Sequence, residues 1–371
     1  MPTESFSLGR GTQAVIDLAA LRHNMELVRR QAPHSKVLGV VKADAYGHGL
    51  LPVATALADS SDALGVATFE EGLALKKTGV QRPILLMEGV FSLEQLKEAS
   101  AQGLNLVVHQ PWQLAMLLEA DLPRPVGVWL KVDTGMHRLG ISDNGCALFW
   151  QQLNNSPNVA DLVLMSHLAC ADEPDHALNR RQGELFRQLK STVGAHQASL
   201  ANSAATLDRV DFHHEWVRPG LMLYGASPFA DRSAESLGLK PAMHLQSRII
   251  SRSTVLPGES VGYGATWTAA ARTEVAVVAI GYGDGYPRHI GKSTQVLIKG
   301  QRCPVVGRVS MDMITVDVSV VPEVGPNTPV TLWGPGLPVE EVAQWANTIN
   351  YELLCQVTGR VQRVYQGSGA D

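Results

Sequence analysis

Eight short apolar runs, separated by stretches of helical character, constrain the fold of this chain more than any other feature. The runs occupy residues 37–43, 63–68, 83–88, 104–109, 126–133, 160–169, 197–203 and 216–225. Because they are continuously apolar rather than alternating, they predict strands buried on both faces, as in a parallel sheet. The stretches between them, such as 93–103 and 178–193, space apolar residues at helical intervals. Eight βα units favour an α/β fold with an N-terminal (β/α)8 barrel of the TIM type over an open doubly wound sheet.

The residues outside these units predict a second domain. A ninth strand-like run, 14–17, precedes the first long helix and is surplus to the barrel, so we expect it to pair with the C-terminal domain. Beyond about residue 240 the chain consists of short β-type runs with Gly and Pro between them, and only 338–349 resembles a helix. We therefore predict a barrel domain over 1–240 and a mainly-β domain over 241–371, with residues 366–371 frayed.

Composition excludes several classes of protein. With 371 residues, 45% hydrophobic and 18% charged, the chain can bury large cores and is not disordered. Its formal charge of −4 gives no reason to expect nucleic acid or a membrane surface as a partner. The four cysteines form no CxxC pair, no apolar run reaches the ~18 residues of a membrane span, and the first ten residues do not resemble a secretory signal. We predict a cytoplasmic protein without a structural metal.

Polar residues end the predicted strands, where the chemistry of a barrel is found. They are Lys42, Thr68, Glu88, His109, Lys131, Asp133, His167, Asn202, Ser203, Arg218 and Gly220. Lys42 ends a strand so apolar that desolvation disfavours its charged form, and a neutral amine can form a Schiff base. The alternative is a lysine that extends into solvent at a strand end.

The ends of the last two strands predict a phosphate site. Barrels bind phosphate there through backbone N–H groups, and Ser203 and Gly220 lie at those ends. The alternative for Ser203 is an ordinary helix N-cap. A Schiff-base lysine and a phosphate site on one barrel together indicate pyridoxal 5′-phosphate (PLP). Arg218 is expected near the cofactor ring, where it cannot accept a proton from the ring nitrogen. The alternative for Arg218 is a surface ion pair.

Nine sequence blocks, taken together, resemble the alanine racemase family. They are VKADAYGHG (41–49), KVDTGMHRLG (131–140), SHLACADEP (166–174), ANSAAT (201–206), VRPGLMLYG (217–225), VGYGATW (261–267), GYGDGYPR (281–288), VGRVSMDM (306–313) and NYELL (350–354). The resemblance covers nearly the whole chain. It implies a PLP-dependent enzyme that interconverts L-alanine and D-alanine and acts as a head-to-tail homodimer with shared active sites.

The resemblance also implies roles for individual residues. Lys42 is expected to hold PLP and to act as the base on the D-alanine side, while Tyr263 of the partner subunit acts on the L-alanine side. His167, backed by Arg218, is expected to help Tyr263 ionise. Further assignments are Arg138 and Met311 for the substrate carboxylate, Lys131 as a carbamylated residue that orients Arg138, and Tyr46, Asn202, Ser203, Gly220, Leu221 and Tyr351 for the phosphate.

Two departures, Asp44 and Gly359 in place of a bulkier residue, stand beside this interpretation, together with three alternatives. Asp44 replaces the asparagine found in many family members, and its charge would raise the pKa of Lys42. A racemase of broader specificity, a PLP decarboxylase and a PLP carrier protein are the alternatives. Arg218 argues against the decarboxylase, and the second domain argues against the carrier. Adjacent His213 and His214 suggest a metal site, but in an extended segment they would point to opposite faces.

Overall fold

The computed structural model describes residues 9–321 and 323–367, which form two compact units. One unit is Leu21–Leu239, and the other joins residues 9–20 to residues 240–367. The described chain opens with strand β1 (Gln13–Asp17) and helix α1 (Leu18–Gln31). Most of the tail predicted to be frayed, 366–371, lies outside the described residues, as does most of the N-terminal segment.

The first unit is a closed barrel of eight parallel strands, as predicted. The strands are β2 (Lys36–Val40), β3 (Ala63–Val66), β4 (Ile84–Leu86), β5 (Leu104–Val108), β6 (Val126–Lys131), β7 (Val159–Met165), β8 (Ala198–Ser199) and β9 (Trp216–Val217). They follow the order of the chain, and β9 pairs with β2 to close the barrel. All eight therefore end at one mouth, where the polar residues that follow them collect.

Helical segments connect these strands. They are α2 (Lys42–Tyr46), α3 (Leu50–Ala58), α4 (Phe69–Lys77), α5 (Leu93–Gln102), α6 (Pro111–Glu119), α7 (Asp143–Asn154), α8 (Ala177–Val193) and α9 (Ser203–Asp208). Local sequence determines several ends: Ser92 caps the N-terminus of α5, and Gly103 ends it with a φ of 65°. Neither these helices nor the others in the described ranges combine the length and apolarity that crossing a bilayer requires.

The last two barrel strands are shorter than predicted. The runs 197–203 and 216–225 contain strands of only two residues each, β8 and β9. Pro219 has no N–H for a sheet ladder, and the residues beyond it turn into a 3-10 helix, Leu221–Tyr224. The apolar residues after these strands are buried in loops at the mouth, so apolarity alone overestimated the strands.

A ring contact shows which side chains point into the barrel. Trp129 on β6 and Trp216 on β9 meet edge to face with their ring centroids 5.3 Å apart, although their strands are not neighbours. Both rings therefore lie inside the barrel. Side chains two residues further along a strand point to the same side. Lys131 and Arg218 are thus directed into the mouth, one layer above the tryptophans.

The second unit is mainly β, as predicted. Its strands are β1, β10 (Met243–Val255), β11 (Ser260–Val261), β12 (Trp267–Thr268), β13 (Thr273–Val278), β14 (Gln295–Ile298), β15 (Gln301–Val306), β16 (Ile314–Asp317), β17 (Pro329–Trp333) and β18 (Gln362–Gln366). Strand β1 lies between β10, to which it is antiparallel, and β18, to which it is parallel.

The helix predicted over 338–349 is present but shorter, and the expectation that it is the only helix of this domain is wrong. The structure has two helices, α10 (Val339–Trp345) and α11 (Asn350–Cys355). The chain breaks between them because Asn347 adopts a left-handed φ of 53°, a conformation that asparagine tolerates better than most residues.

Candidate active site at the mouth of the barrel

Arg218 is the most thoroughly enclosed charge at the mouth. It is 3% exposed, and its Nη1 donates to Ser199 Oγ at 2.7 Å while its Nη2 donates to the Ser166 carbonyl at 2.7 Å. Burial lowers the pKa of Arg218 to about 10, so the guanidinium remains charged near neutral pH. It forms no ion pair with a carboxylate among the described residues. The surface ion pair considered from sequence is therefore excluded.

His167 follows β7 and faces Arg218, whose Nη2 lies 3.3 Å from His167 Nδ1. Because a guanidinium can only donate, Nδ1 must accept, and the proton of a neutral imidazole then sits on Nε2. Burial, together with the charge of Arg218, holds the pKa of His167 well below its usual value, so this neutral form persists. The arrangement leaves an N–H donor on His167 for an acceptor in the mouth.

Lys131 ends β6 and is a buried lysine, 8% exposed. Burial lowers the pKa of Lys131 to about 8, and the positive charges of Arg218 and Arg138 add to the effect. A substantial fraction of Lys131 is consequently a neutral amine near pH 8. A neutral amine can act as a nucleophile. The cationic side chains around Lys131 would stabilise a negatively charged product formed on it.

A tight loop places Arg138 after Lys131. The Asp133 carboxylate accepts from the backbone N–H groups of Gly135, Met136 and His137 at 2.9, 3.0 and 3.1 Å, which closes the loop that begins where β6 ends. Arg138 follows directly and is exposed. Its charge acts on both Lys131 and His167, so it belongs to the same cationic cluster.

Lys42 begins a left-handed turn that the sequence did not predict. Ala43, Asp44, Ala45 and Tyr46 have φ values of 54°, 53°, 53° and 53°. Left-handed backbone costs roughly 1–2 kcal/mol per non-glycine residue, so the surrounding contacts must hold this turn. One of them is Asp44 Oδ1, which accepts from the Leu50 N–H at 2.8 Å. An asparagine offers the same oxygen, so the departure at Asp44 preserves this contact.

Ser203 and the residues after β9 form a cradle of hydrogen-bond donors. Ser203 Oγ accepts from the N–H groups of Gly220 and Met222 at 2.9 and 3.3 Å. The backbone N–H groups of Ser203 and Leu221 are buried without a hydrogen-bond acceptor among the described residues. A Cβ at Gly220 would collide with the Tyr46 hydroxyl, so glycine allows Tyr46 to approach the cradle. Unsatisfied buried donors of this kind fit the phosphate of PLP.

The neighbours of this cradle are also fixed. Asn202, the N-cap of α9, accepts from the Ala205 N–H through Oδ1 at 3.1 Å, so its side chain is engaged within its own helix. The Tyr46 ring stacks on Tyr224 with the centroids 4.6 Å apart, and the Tyr224 hydroxyl donates to the Val40 carbonyl at 2.9 Å. The sequence identified Asn202 and Tyr46 but not Tyr224.

The remaining predicted site residues belong to the β domain. Tyr263 lies in a 3-10 turn (Tyr263–Ala265) between β11 and β12 and is 74% exposed. Met311 follows β15 in a loop and is 53% exposed. Tyr351 lies in α11 and is half-buried. Among the described residues of the β domain, Tyr263 and Met311 occupy no buried polar cluster like that of the barrel mouth.

Two strand-end residues have no part in the mouth cluster, and two serines were missed. Thr68 caps α4, and the Glu88 side chain is exposed. Ser166 and Ser199, which hold Arg218, were overlooked because they occur within apolar runs. A sequence signal could have indicated Ser199. It is a polar residue near the end of a strand that is otherwise apolar.

His213 and His214 do not form a metal pair. The segment is not extended: a 3-10 helix (Val210–Phe212) precedes it, and His214 has a φ of 48°. His213 Nε2 contacts the Thr206 carbonyl at 3.0 Å, whereas His214 packs edge to face on Phe186. No group of three or more side chains able to hold a metal occurs in the described part of the chain.

Comparisons with known proteins extend this description. The family profiles described as alanine racemase, N-terminal domain, and alanine racemase, C-terminal domain, match residues 16–228 and 242–365. The alanine racemase of Nitrosococcus oceani is 50% identical over 355 residues, which cover 95% of this chain and 99% of that protein. A crystal structure of the biosynthetic alanine racemase from Pseudomonas aeruginosa gives a TM-score of 0.93 at 46% identity, covering 96% of this chain and 99% of that one.

A more distant structure adds a cofactor. Alanine racemase from Bartonella henselae, described with covalently bound pyridoxal phosphate, gives a TM-score of 0.87 at 26% identity and covers 96% of this chain and 99% of that one. A barrel with a cationic mouth and a phosphate cradle, followed by a β domain, defines a two-domain enzyme of the PLP-dependent class. The chain belongs to the alanine racemase family, whose members are PLP-dependent isomerases.

Proposed function

We propose that this enzyme interconverts L-alanine and D-alanine with PLP, using Lys42 and the partner subunit's Tyr263 as its two bases. The observation that carries the proposal is the contact between buried Arg218 and half-buried His167. It provides a cation where PLP enzymes of other classes place a carboxylate, and a neutral imidazole with a free donor. The relatives described as alanine racemases, one of them 50% identical to this chain, support the choice of alanine.

The barrel supplies groups suited to hold the cofactor. Lys42 would bind it covalently, and the N–H groups of Ser203 and Leu221 would donate to its phosphate, with Tyr46 beside them. The Gly220 N–H already donates to Ser203 Oγ, so Gly220 would not donate to the phosphate. Its lack of a side chain would leave room for Tyr46. Asn202 and Tyr351 stay predicted members of this site. When bound, the cofactor withdraws electrons from an attached amino acid and so acidifies its α-proton.

Racemisation requires a base on each face of the α-carbon. Lys42 Nζ would remove or return the proton on one face, and the partner's Tyr263 Oη would do so on the other. A phenol has an ordinary pKa near 10, so its ionised form needs stabilisation. The Nε2–H of His167 is suited to donate to the phenolate oxygen, because Arg218 fixes the imidazole in that tautomer.

Arg138 and Lys131 would orient the substrate carboxylate, with the partner's Met311 donating its backbone N–H. We propose that Lys131 is carbamylated. Its neutral amine attacks carbon dioxide, an N–C bond forms and one proton leaves to solvent. The product carries a negative charge among Arg138, Arg218 and Lys42, where it can accept hydrogen bonds from the Arg138 guanidinium. Enzyme supplied with ¹³C-labelled bicarbonate should show a carbamate carbon that Lys131→Met lacks.

The exposure of Tyr263 supports a homodimer with shared sites. A base that is 74% exposed is poorly suited to proton transfer from carbon unless another surface encloses it. A second copy, whose barrel mouth carries His167, would provide that surface. Equal mixtures of inactive Lys42→Ala and Tyr263→Phe subunits should therefore recover about a quarter of the wild-type activity, since random pairing makes half of the dimers mixed and each mixed dimer retains one intact site. Confirmed mixed dimers without activity would contradict the shared site.

The decisive measurement combines two assays on the wild-type enzyme with PLP supplied. Borohydride reduction followed by peptide mapping should attach the cofactor to Lys42, and attachment to another lysine would overturn the assignment. Conversion of a panel of amino acids should be fastest for alanine. Rapid turnover of many other side chains would favour the broader racemase. Release of carbon dioxide from the substrate would favour the decarboxylase. Arg218 argues against that alternative, because its hydrogen bonds to Ser199 and Ser166 hold a cation where a decarboxylase would benefit from a carboxylate.

The sequence prediction of a cytoplasmic location is retained as part of this proposal. Cys146, Cys170 and Cys303 are free thiols, and Cys146 and Cys303 are buried, which fits a reducing compartment. Fractionation of cells that produce the protein should recover its activity with cytoplasmic markers; recovery with secreted or membrane markers would contradict the assignment.

A further inference from the structure

The left-handed turn after Lys42 needs an external restraint. Four successive non-glycine residues, from Ala43 to Tyr46, have positive φ values, and such a run persists only where neighbouring groups hold it. Because the turn begins at Lys42, relaxation of its backbone would change the direction in which the Lys42 side chain leaves β2. The contact made by Ala43, the residue directly after Lys42, is therefore an informative one.

That contact comes from Glu71 in α4. Glu71 Oε1 accepts from the Ala43 N–H at 2.7 Å, and Glu71 Oε2 accepts from the N–H groups of Ala67 and Thr68 at 2.9 and 3.3 Å. The Glu71 N–H in turn donates to Thr68 Oγ1 at 3.3 Å. One carboxylate thus joins the backbone that follows β2 to the backbone that follows β3, two neighbouring strands of the barrel.

Only part of this arrangement is needed to start the helix. In a capping box the third helical residue returns one acceptor to the N-cap N–H, which Glu71 Oε2 does for Thr68. The corresponding residue of α5, Gln95, accepts only from the Phe91 N–H next to its own N-cap, at 2.9 Å. Glu71 Oε1 makes a contact that the capping box does not require. It accepts from the N–H of Ala43, which follows Lys42 at the end of a different strand, β2.

We propose that Glu71 is a positioning residue for Lys42: its carboxylate holds the left-handed turn and thereby aims the Lys42 amine into the mouth. The inference rests on the proposed role of Lys42 as the cofactor lysine. A carboxylate suits the task because both of its oxygens accept, and three backbone N–H groups converge on it. A glutamine has one acceptor and must present its NH2 to one of the two strand ends.

The test compares full-length Glu71→Gln with a matched control, Glu70→Gln. Glu70 is the exposed neighbour of Glu71 and lies in the same first turn of α4. The first readout is hydrogen exchange at the Ala43 amide in enzyme freed of cofactor. Loss of a hydrogen bond to a charged acceptor should accelerate exchange by about tenfold or more in Glu71→Gln and leave it unchanged in Glu70→Gln.

The second readout is the rate at which added pyridoxal phosphate becomes attached to the protein, followed by the absorbance of the lysine-bound cofactor. We expect this rate to fall at least about fivefold in Glu71→Gln and to stay unchanged in Glu70→Gln. Melting temperatures without cofactor are measured in parallel, because a merely structural role would lower them without slowing attachment. If Glu71→Gln does not fold, Glu71→Asp replaces it, since the shorter carboxylate keeps its charge but cannot span both strand ends.

Each outcome decides one statement. Unchanged exchange at the Ala43, Ala67 and Thr68 amides would overturn the restraint itself, whereas faster exchange with an unchanged attachment rate would overturn its consequence for Lys42. Borohydride mapping of the wild-type enzyme is performed separately. If it places the cofactor on a different lysine, the proposed function fails, and the exchange experiment still reports independently on Glu71.

Discussion

The barrel mouth and the β domain differ in how they present their proposed reactive groups. In the barrel, Arg218 and Lys131 are nearly fully buried, and Arg218 donates to Ser199, to Ser166 and to His167. In the β domain, Tyr263 is 74% exposed on a short turn.

The two regions differ in whether this chain itself surrounds the proposed reactive group. The chain itself adjusts the charge states of the mouth, since burial lowers the pKa of Lys131 to about 8 and that of Arg218 to about 10. For Tyr263 the chain provides position but no surroundings. A variant in the mouth should therefore affect stability and activity together, whereas a variant at Tyr263 should affect activity alone.

The largest expected effect is that of Tyr263→Phe. Loss of one general base should reduce racemisation by about a thousandfold, while the melting temperature stays within error of wild type because the hydroxyl is exposed. Racemase kinetics and thermal melts measure the two quantities on the same sample. Near wild-type rates in Tyr263→Phe would end the two-base proposal.

The second largest effect is that of Arg218→Met. The substitution leaves Ser199, the Ser166 carbonyl and His167 Nδ1 without their donor, so the free energy of unfolding should fall by about 3 kcal/mol and activity should fall with it. In the β domain, Arg302→Met removes a pair with Glu341 at 2.6 Å in which both side chains are exposed, and should cost about 0.5 kcal/mol. Denaturant unfolding measures both, and equal losses would refute the contrast between the domains.

Sequence pattern anticipated the barrel because each strand is buried on both faces, which leaves a continuous apolar run. The same reasoning failed after β8 and β9, where buried loops are also apolar and Pro219 ends the ladder. It also extended α10 from Trp345 to 349, although left-handed Asn347 ends the helix, and it missed α11. The spacing of apolar residues indicates which positions are buried. It shows where a helix or strand ends only if a proline or glycine lies there.

The candidate site was predicted to a similar extent. Lys42, His167 and Arg218 follow buried strands, so their position at the mouth is visible in the sequence. The contacts that fix them are not, because Ser199 lies within an apolar run and Glu71 appears in the sequence as an ordinary capping residue. The left-handed turn after Lys42 was also missed, since no glycine marks its first four positive φ values.

The third prediction compares how acid affects the stability of the two domains. Burial lowers the pKa of His214 to about 4, and it also lowers the pKa of His167 and of His213 in the same unit, whereas in the β domain the only described histidine lowered in this way is His244. An unfolded histidine titrates near 6.5. Between pH 6.5 and 4 the unfolded chain therefore gains a proton that folded His214 refuses, and the free energy of unfolding falls as the pH falls.

Partial solvent screening limits the contribution of His214 to about 2 kcal/mol over that window. His214→Phe should flatten the profile by that amount, and it should preserve the contact with Phe186. Hydrogen exchange resolved by region should show that barrel amides lose protection on acidification before those of the β domain. A His214→Phe profile parallel to the wild type would show that burial does not depress this pKa.

The smallest effect contrasts two buried tyrosines. Tyr224 in the barrel donates its hydroxyl to the Val40 carbonyl at 2.9 Å, whereas the hydroxyl of Tyr286 in the β domain is buried without a hydrogen-bond partner among the described residues. Burial accordingly raises the pKa of Tyr286. Tyr224→Phe should lower the free energy of unfolding by about 1 kcal/mol, and Tyr286→Phe should raise it by up to about 1 kcal/mol, because it removes a desolvated group that gains nothing in return. Denaturant unfolding of the two variants measures this difference of sign. If both variants destabilise equally, the Tyr286 hydroxyl has a hydrogen-bond partner in the folded protein and the predicted contrast between the two tyrosines fails.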